Sequence, residues 1–80
     1  MISVIIADDH AVVRQGVTRI LSDARDLTVV AEASSGDELI DRLLSVTADV
    51  CLLDLAMPGG GLDALGRLHE LRPELRILVF

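Results

Sequence analysis

Eighty residues make one small domain at most. Seven arginines and no lysine face nine aspartates and four glutamates, a net charge of −6, while 51% of the residues are hydrophobic. This balance excludes intrinsic disorder and argues against nucleic-acid binding by these residues alone. The single cysteine, Cys51, excludes an internal disulfide and any multi-cysteine zinc site. No apolar run reaches the ~18 residues of a membrane helix. Asp8-Asp9 follows the first apolar run without a basic leader, so the expected location is the cytoplasm. Phe80 is the one aromatic residue, which leaves an aliphatic core.

Ile2 to Ala7 is a short β-branched run, expected to be a strand buried on both faces. From Ala11 the spacing becomes helical. Val12, Val13, Gly16, Val17, Ile20 and Leu21 form an apolar stripe opposite Arg14, Gln15, Thr18 and Arg19, to about Ala24. Leu27 to Ala33 is a second, less apolar strand, expected nearer an edge. Ser35 and Glu38 form a capping box for a second helix, which carries Leu39, Ile40, Leu43 and Leu44 to about Thr47. Asp49 to Leu53 is a third strand. Asp54 to Gly61 is a loop broken by Pro58 and three glycines. Leu62, Leu65, Leu68 and Leu71 mark a third helix, stopped by Pro73. Arg76 to Phe80 is a fourth strand. Strands alternating with helices predict an α/β fold, an open doubly wound parallel sheet with helices on both faces.

In such a sheet ligands bind beyond the C-terminal ends of the strands, at the switch in strand order. Asp8 and Asp9 follow the first strand and Asp54 follows the third. If those strands are neighbours, ~4.8 Å apart, the three carboxylates converge. Clustered carboxylates repel, and a hard divalent cation such as Mg²⁺ is the simple remedy. A cation beside a carboxylate also prepares it for phosphoryl chemistry. A lone Asp after a strand is ordinarily a cap or loop residue; the combination of Asp8-Asp9 with Asp54 is more specific.

Asp54 is followed by Leu55-Ala56-Met57-Pro58-Gly59. With Ile5-Ile6-Ala7-Asp8-Asp9-His10, Arg14-Gln15-Gly16, Ala31-Glu32-Ala33 and Gly36, this sequence resembles the N-terminal part of a response-regulator receiver domain of two-component signalling. The Asp-Asp-His start and the Arg-x-Gly in helix one are similar to the subfamily with a LuxR-type helix-turn-helix output domain. The resemblance implies flavodoxin-like topology with strand order 2-1-3-4 over these residues. It implies that Asp54 accepts a phosphoryl group from a sensor histidine kinase. It also implies that Asp8, Asp9, Asp54 and the backbone carbonyl of Ala56 hold Mg²⁺, Asp8 partly through water, while Met57 and Pro58 shape the loop beside the phosphate. DNA would be reached only through an output domain outside these residues, in the service of transcription control. The domain would be a switch that assists its own phosphorylation rather than an enzyme.

The sequence departs from that pattern in places. It carries no lysine to pair with the phosphate, and no Ser or Thr after strand four. Gly59-Gly60-Gly61 makes the loop about one residue shorter than the family's commoner pattern. Helix four, strand five and helix five of a receiver are not represented, so residues 1–80 are expected to be an incomplete receiver. Strand four is then an open edge, which invites a homodimer by edge pairing or strand exchange; a monomer that persists at every concentration would contradict this. The alternative function is a switch-dead fragment that acts as a metal-binding or self-associating interaction module. A dehalogenase-like phosphatase is disfavoured, because Asp8 and Asp9 are adjacent where that chemistry uses Asp-x-Asp. Cys51 is expected to be a buried inert thiol, and His10 a capping or rim residue, with a proton carrier near the site as the lesser reading; His69 belongs to the polar or boundary face of the third helix, and Arg14 and Arg19 to a solvated face, with docking of a kinase or phosphotransfer partner as the second reading.

Overall fold

The computed structural model describes all 80 residues. The elements are β1 (Ile2–Ala7), α1 (Ala11–Ser22), β2 (Leu27–Ala33), α2 (Gly36–Ser45), β3 (Val50–Leu53), α3 (Leu62–Leu71) and β4 (Arg76–Val79). All strand pairs are parallel, in the order β2-β1-β3-β4. The expected α/β sheet and its strand order are therefore observed. β1 is central, which explains its continuous apolar run: Val4, Ile5, Ile6 and Ala7 are all buried.

Alternation along the strands separates the two faces. Ile5, Ala7, Cys51 and Leu53 turn to one side, where they pack with Leu39 and Leu43 of α2 and Leu68 of α3 in the main core. Val4, Leu52 and Leu78 turn to the other side, where they line a groove of about 190 Å³ with Leu21 of α1. β4 bonds to β3 alone and is an edge, with Leu78, Val79 and Phe80 exposed.

The element ends differ slightly from expectation, for local reasons. α1 stops at Ser22 because the N–H groups of Asp23 and Ala24 bond three residues back, to Ile20 and Leu21, which tightens the final turn. β3 starts at Val50, although the backbone of Asp49 already bonds to Ser3 on β1 and Arg76 on β4. The Asp49 carboxylate accepts from the backbone N–H and hydroxyl of Ser3, at 2.9 and 3.1 Å, and these bonds hold its pKa below the usual carboxylate value. α2 is capped by Ser35, whose hydroxyl accepts from Glu38 N–H at 3.1 Å, as the capping box predicts. The Glu38 carboxylate in turn accepts from the N–H of Ser34, one residue before the cap, at 3.0 Å. α2 ends at Ser45, two residues early, where Val46 turns extended.

α1 packs differently from its apolar stripe. Arg14, Val17, Thr18 and Leu21 form its half-buried face, while Val12, Val13, Gly16 and Ile20 are exposed. Arg14 draws that face inward, because its guanidinium donates to the Asp8 carbonyl and its Nε lies 3.3 Å from Glu32 on β2. Arg14 is thus a half-buried link between α1, the end of β1 and β2, not part of a solvated face.

The loop after β3 docks on the first turn of α2. Gly36 N–H donates to the Pro58 carbonyl at 2.9 Å, and Gly59 adopts φ +69°, a left-handed conformation that favours glycine. A Cβ on Gly36 would lie 1.9 Å from the Gly59 carbonyl oxygen, so the loop would have to move. Replacing a helical glycine gains at most ~1 kcal/mol of helix propensity, whereas overpacking costs ~1–3 kcal/mol, so the steric loss wins. Gly36→Ala is expected to lower the urea midpoint. Gly66→Ala, on α3 with nothing within 4 Å of the new Cβ, is expected to raise it by about 0.5–1 kcal/mol of stability. A Gly36→Ala chain as stable as the parent would contradict the docked loop.

Candidate functional site

The C-terminal ends of β1 and β3 lie side by side. Ala7 pairs with Leu53, and the N–H of Asp54 donates to the Ala7 carbonyl at 2.9 Å. The N–H of Asp8 donates across to Ala33 of β2 at 3.0 Å. Two backbone bonds therefore pin the residues that leave the sheet at its centre. Asp8, Asp9, His10 and Asp54 each bring one donor atom into a group whose members all lie within 4.8 Å of one another. The three aspartates singled out in the sequence do converge.

Their environments differ. The Asp8 side chain is 3% exposed and that of Asp9 34%. Asp8 Oδ1 accepts from the backbone N–H of His10 at 2.7 Å. Asp54 is half-buried, and its Oδ1 accepts from Ala56 N–H at 2.9 Å, which fixes the carboxylate's direction. The Ala56 carbonyl accepts no hydrogen bond, and the residue is exposed. Met57 is buried in the main core and anchors the loop from below. Pro58 is exposed, and its carbonyl holds Gly36.

No arginine forms a salt bridge with any of the three carboxylates; the four ion pairs in the chain are His10–Asp8, His10–Asp9, Arg14–Glu32 and Arg67–Asp37. Arg14 reaches only the backbone of Asp8. His10 is therefore the sole basic side chain at the cluster. It occupies the N-cap position of α1 but makes no side-chain cap bond. Its Nδ1 lies 3.1 Å from Asp8 and 3.0 Å from Asp9. The bond to Asp8, then the charge of Asp9, raises its pKa above the ordinary histidine value.

The three carboxylates of this group suit a small hard dication. An octahedral Mg²⁺ with oxygens at ~2.1 Å spaces neighbouring ligands by about 3 Å and opposite ones by about 4.2 Å, close to the spread of these side chains. Cys51 plays no part. It is fully buried in β3, and burial pushes its thiol up to about 12. His69 is exposed on α3.

A family model for the response regulator receiver domain matches residues 4–80. The chain belongs to the receiver-domain family. It is 42% identical over 79 residues to the response regulator GacA of Pseudomonas viridiflava, and 44% identical over 79 residues to the nitrate/nitrite response regulator NarL of Escherichia coli K12. Each match covers 98% of this chain but 37% of the relative's length. Among solved structures, the isolated receiver domain of RcsB from Salmonella enterica serovar Typhimurium, determined with the phosphomimetic BeF₃⁻, is similar at a TM-score of 0.91 and 34% identity. That match covers 98% of this chain and 59% of the RcsB domain. A LuxR-family response regulator from Aurantimonas is similar at a TM-score of 0.92 and 32% identity, over 100% of this chain and 58% of its own. Receivers of this family bind Mg²⁺ at acidic residues, and the acidic cluster of this chain is Asp8, Asp9 and Asp54.

The sequence offered His10 near the site only as a lesser reading, and the structure places it there; the inward turn of Arg14 was missed. One signal was present: Arg14 stands four residues after His10, so both share the face of α1 that begins at the site.

Proposed function

We propose that residues 1–80 are the N-terminal, phosphoacceptor-bearing part of a receiver domain, and that Asp54 takes a phosphoryl group from the phosphohistidine of a sensor kinase. The observation that carries this reading is the convergence of three carboxylates from two adjacent strands with no arginine to neutralise them. Asp8, Asp9, Asp54 and the carbonyl of Ala56 are the residues that would hold Mg²⁺. Bound there, the cation supplies charge neutralisation for phosphoryl oxygens.

The remaining chemistry belongs to the chain. The Ala56 N–H holds one Asp54 oxygen, leaving the other to attack phosphorus. A P–O bond forms as the donor's P–N bond breaks, and the departing imidazole regains a proton. The product is an acyl phosphate on Asp54. Asp8 and Asp9 contribute negative charge that must be matched by a cation before a phosphoryl dianion can approach. Met57 and Pro58 set the path of the loop beside that position.

The similarity to GacA, NarL and RcsB supports a whole protein that works in the cytoplasm and controls transcription through a DNA-binding output domain. RcsB itself has been determined bound to promoter DNA. The reading of the 80 residues as part of a receiver is supported by their match to 59% of the isolated RcsB domain.

The test is incubation of the chain with Mg²⁺ and a small-molecule phosphodonor, followed by intact mass measurement. One added phosphoryl group is expected, absent without Mg²⁺ and absent in Asp54→Ala. No gain in a folded chain that still binds Mg²⁺ would overturn phosphoacceptance by these residues and leave the metal-binding interaction module.

A further inference from the structure

His10 separates this site from a purely carboxylate one. Its ring does not cap α1, although it stands at the N-cap position, where Ser, Thr, Asp or Asn would bond the helix N–H groups. It turns back over the end of β1 instead. Nδ1 sits 3.1 Å from Asp8 and 3.0 Å from Asp9, between the two carboxylates, and belongs with Asp54 to the same group of donor atoms. The side chain is 67% exposed, so no packing locks it in place.

Imidazole nitrogen is a poor ligand for Mg²⁺ and a good one for first-row transition dications. Three carboxylates alone offer hard oxygens. Three carboxylates with an imidazole offer a mixed set, in which the nitrogen adds affinity along the series from Mn²⁺ towards Zn²⁺. The neutral ring can present a lone pair at Nδ1 if its hydrogen resides on Nε2. Coordination therefore requires Nδ1 to give up its contacts with Asp8 and Asp9, the hydrogen moving to Nε2, where the exposed side chain offers water as its acceptor.

We propose that His10 is a metal-specificity residue: Nδ1 becomes a direct ligand when the Asp8–Asp9–Asp54 cluster holds a transition dication such as Mn²⁺, and stays out when the cluster holds Mg²⁺. This rests on the reading of the three aspartates as a cation site. The two cations then compete for one site on unequal terms. Either cation must displace the ring from Asp8 and Asp9; Mn²⁺ regains the imidazole as a ligand, while Mg²⁺ receives nothing for it.

The probe is Mn²⁺ itself. Pulsed electron paramagnetic resonance of the Mn²⁺-loaded 80-residue chain detects directly coordinated nitrogen through its hyperfine coupling. Equilibrium titrations with Mn²⁺ and with Mg²⁺ give the two affinities. The parent chain is expected to show imidazole coupling that is absent in His10→Ala. The same substitution is expected to weaken Mn²⁺ binding about tenfold or more, while Mg²⁺ binding stays unchanged or tightens. Circular dichroism confirms that the variant is folded. Mn²⁺ bound without nitrogen coupling, or both affinities falling together, would overturn the role of His10 and leave the carboxylate site standing. Absence of Mn²⁺ and Mg²⁺ binding, or binding undiminished in Asp54→Ala, would overturn the cation site itself and the proposal with it.

Discussion

Everything at the functional end of this molecule depends on β1 and β3 being neighbours. The hydrogen bond from Asp54 N–H to the Ala7 carbonyl, at 2.9 Å, joins two chain segments that leave the sheet at the same level. It brings Asp54 beside Asp8 and Asp9 and creates a concentration of negative charge. No arginine relieves that charge: Arg14 pairs with Glu32 and the Asp8 carbonyl, Arg67 with Asp37, and Arg72 with backbone carbonyls, and none forms a salt bridge with these three carboxylates. A protein with seven arginines could have placed one here. Leaving the carboxylates to one exposed histidine keeps the site open to an external cation.

The surrounding structure holds that arrangement from both sides. On one side, Met57 reaches into the core and Gly59 closes against Gly36, so the loop that carries Asp54 is tied to α2. On the other, Arg14 spans α1, the Asp8 carbonyl and Glu32, so the loop that carries Asp8 and Asp9 is tied to β2. The site is exposed to solvent, but the backbone beneath it is fixed by the core. This is the condition under which repelling groups remain close.

Much of this was legible in the sequence, and the reasons are specific. Ile2–Ala7 reads as a central strand because both faces are covered, and no polar residue can be tolerated between Val4 and Ala7. Ser35 with Glu38 announces the start of α2, because capping chemistry is local. The three aspartates are identifiable because parallel topology places strand ends together, whatever their separation in sequence. Features that depend on tertiary context were not legible. The apolar stripe of α1 pointed to one packing face, but the attachment of Arg14 to Asp8 and Glu32 selects another and leaves Val12, Val13 and Ile20 in solvent. His10 looked like a helix start. Only the geometry shows that the backbone bond from its own N–H to Asp8 swings the ring over the carboxylates. The contact between Gly36 and Gly59 joins loops 23 residues apart in the numbering, and no local pattern announces it.

The central claim is that the converging carboxylates form one cation site whose occupation stabilises the fold. A ligand that binds the native state alone raises stability by RT ln(1 + [L]/Kd), so thermal unfolding reports its binding without any chemistry at Asp54. The decisive measurement is the unfolding temperature against Mg²⁺ concentration, at constant ionic strength, for the parent chain and for Asp9→Asn. A rise in the parent that continues with concentration, and is abolished or strongly reduced in Asp9→Asn, is the expected result. A parent chain indifferent to Mg²⁺, or two chains that respond alike, would contradict the claim.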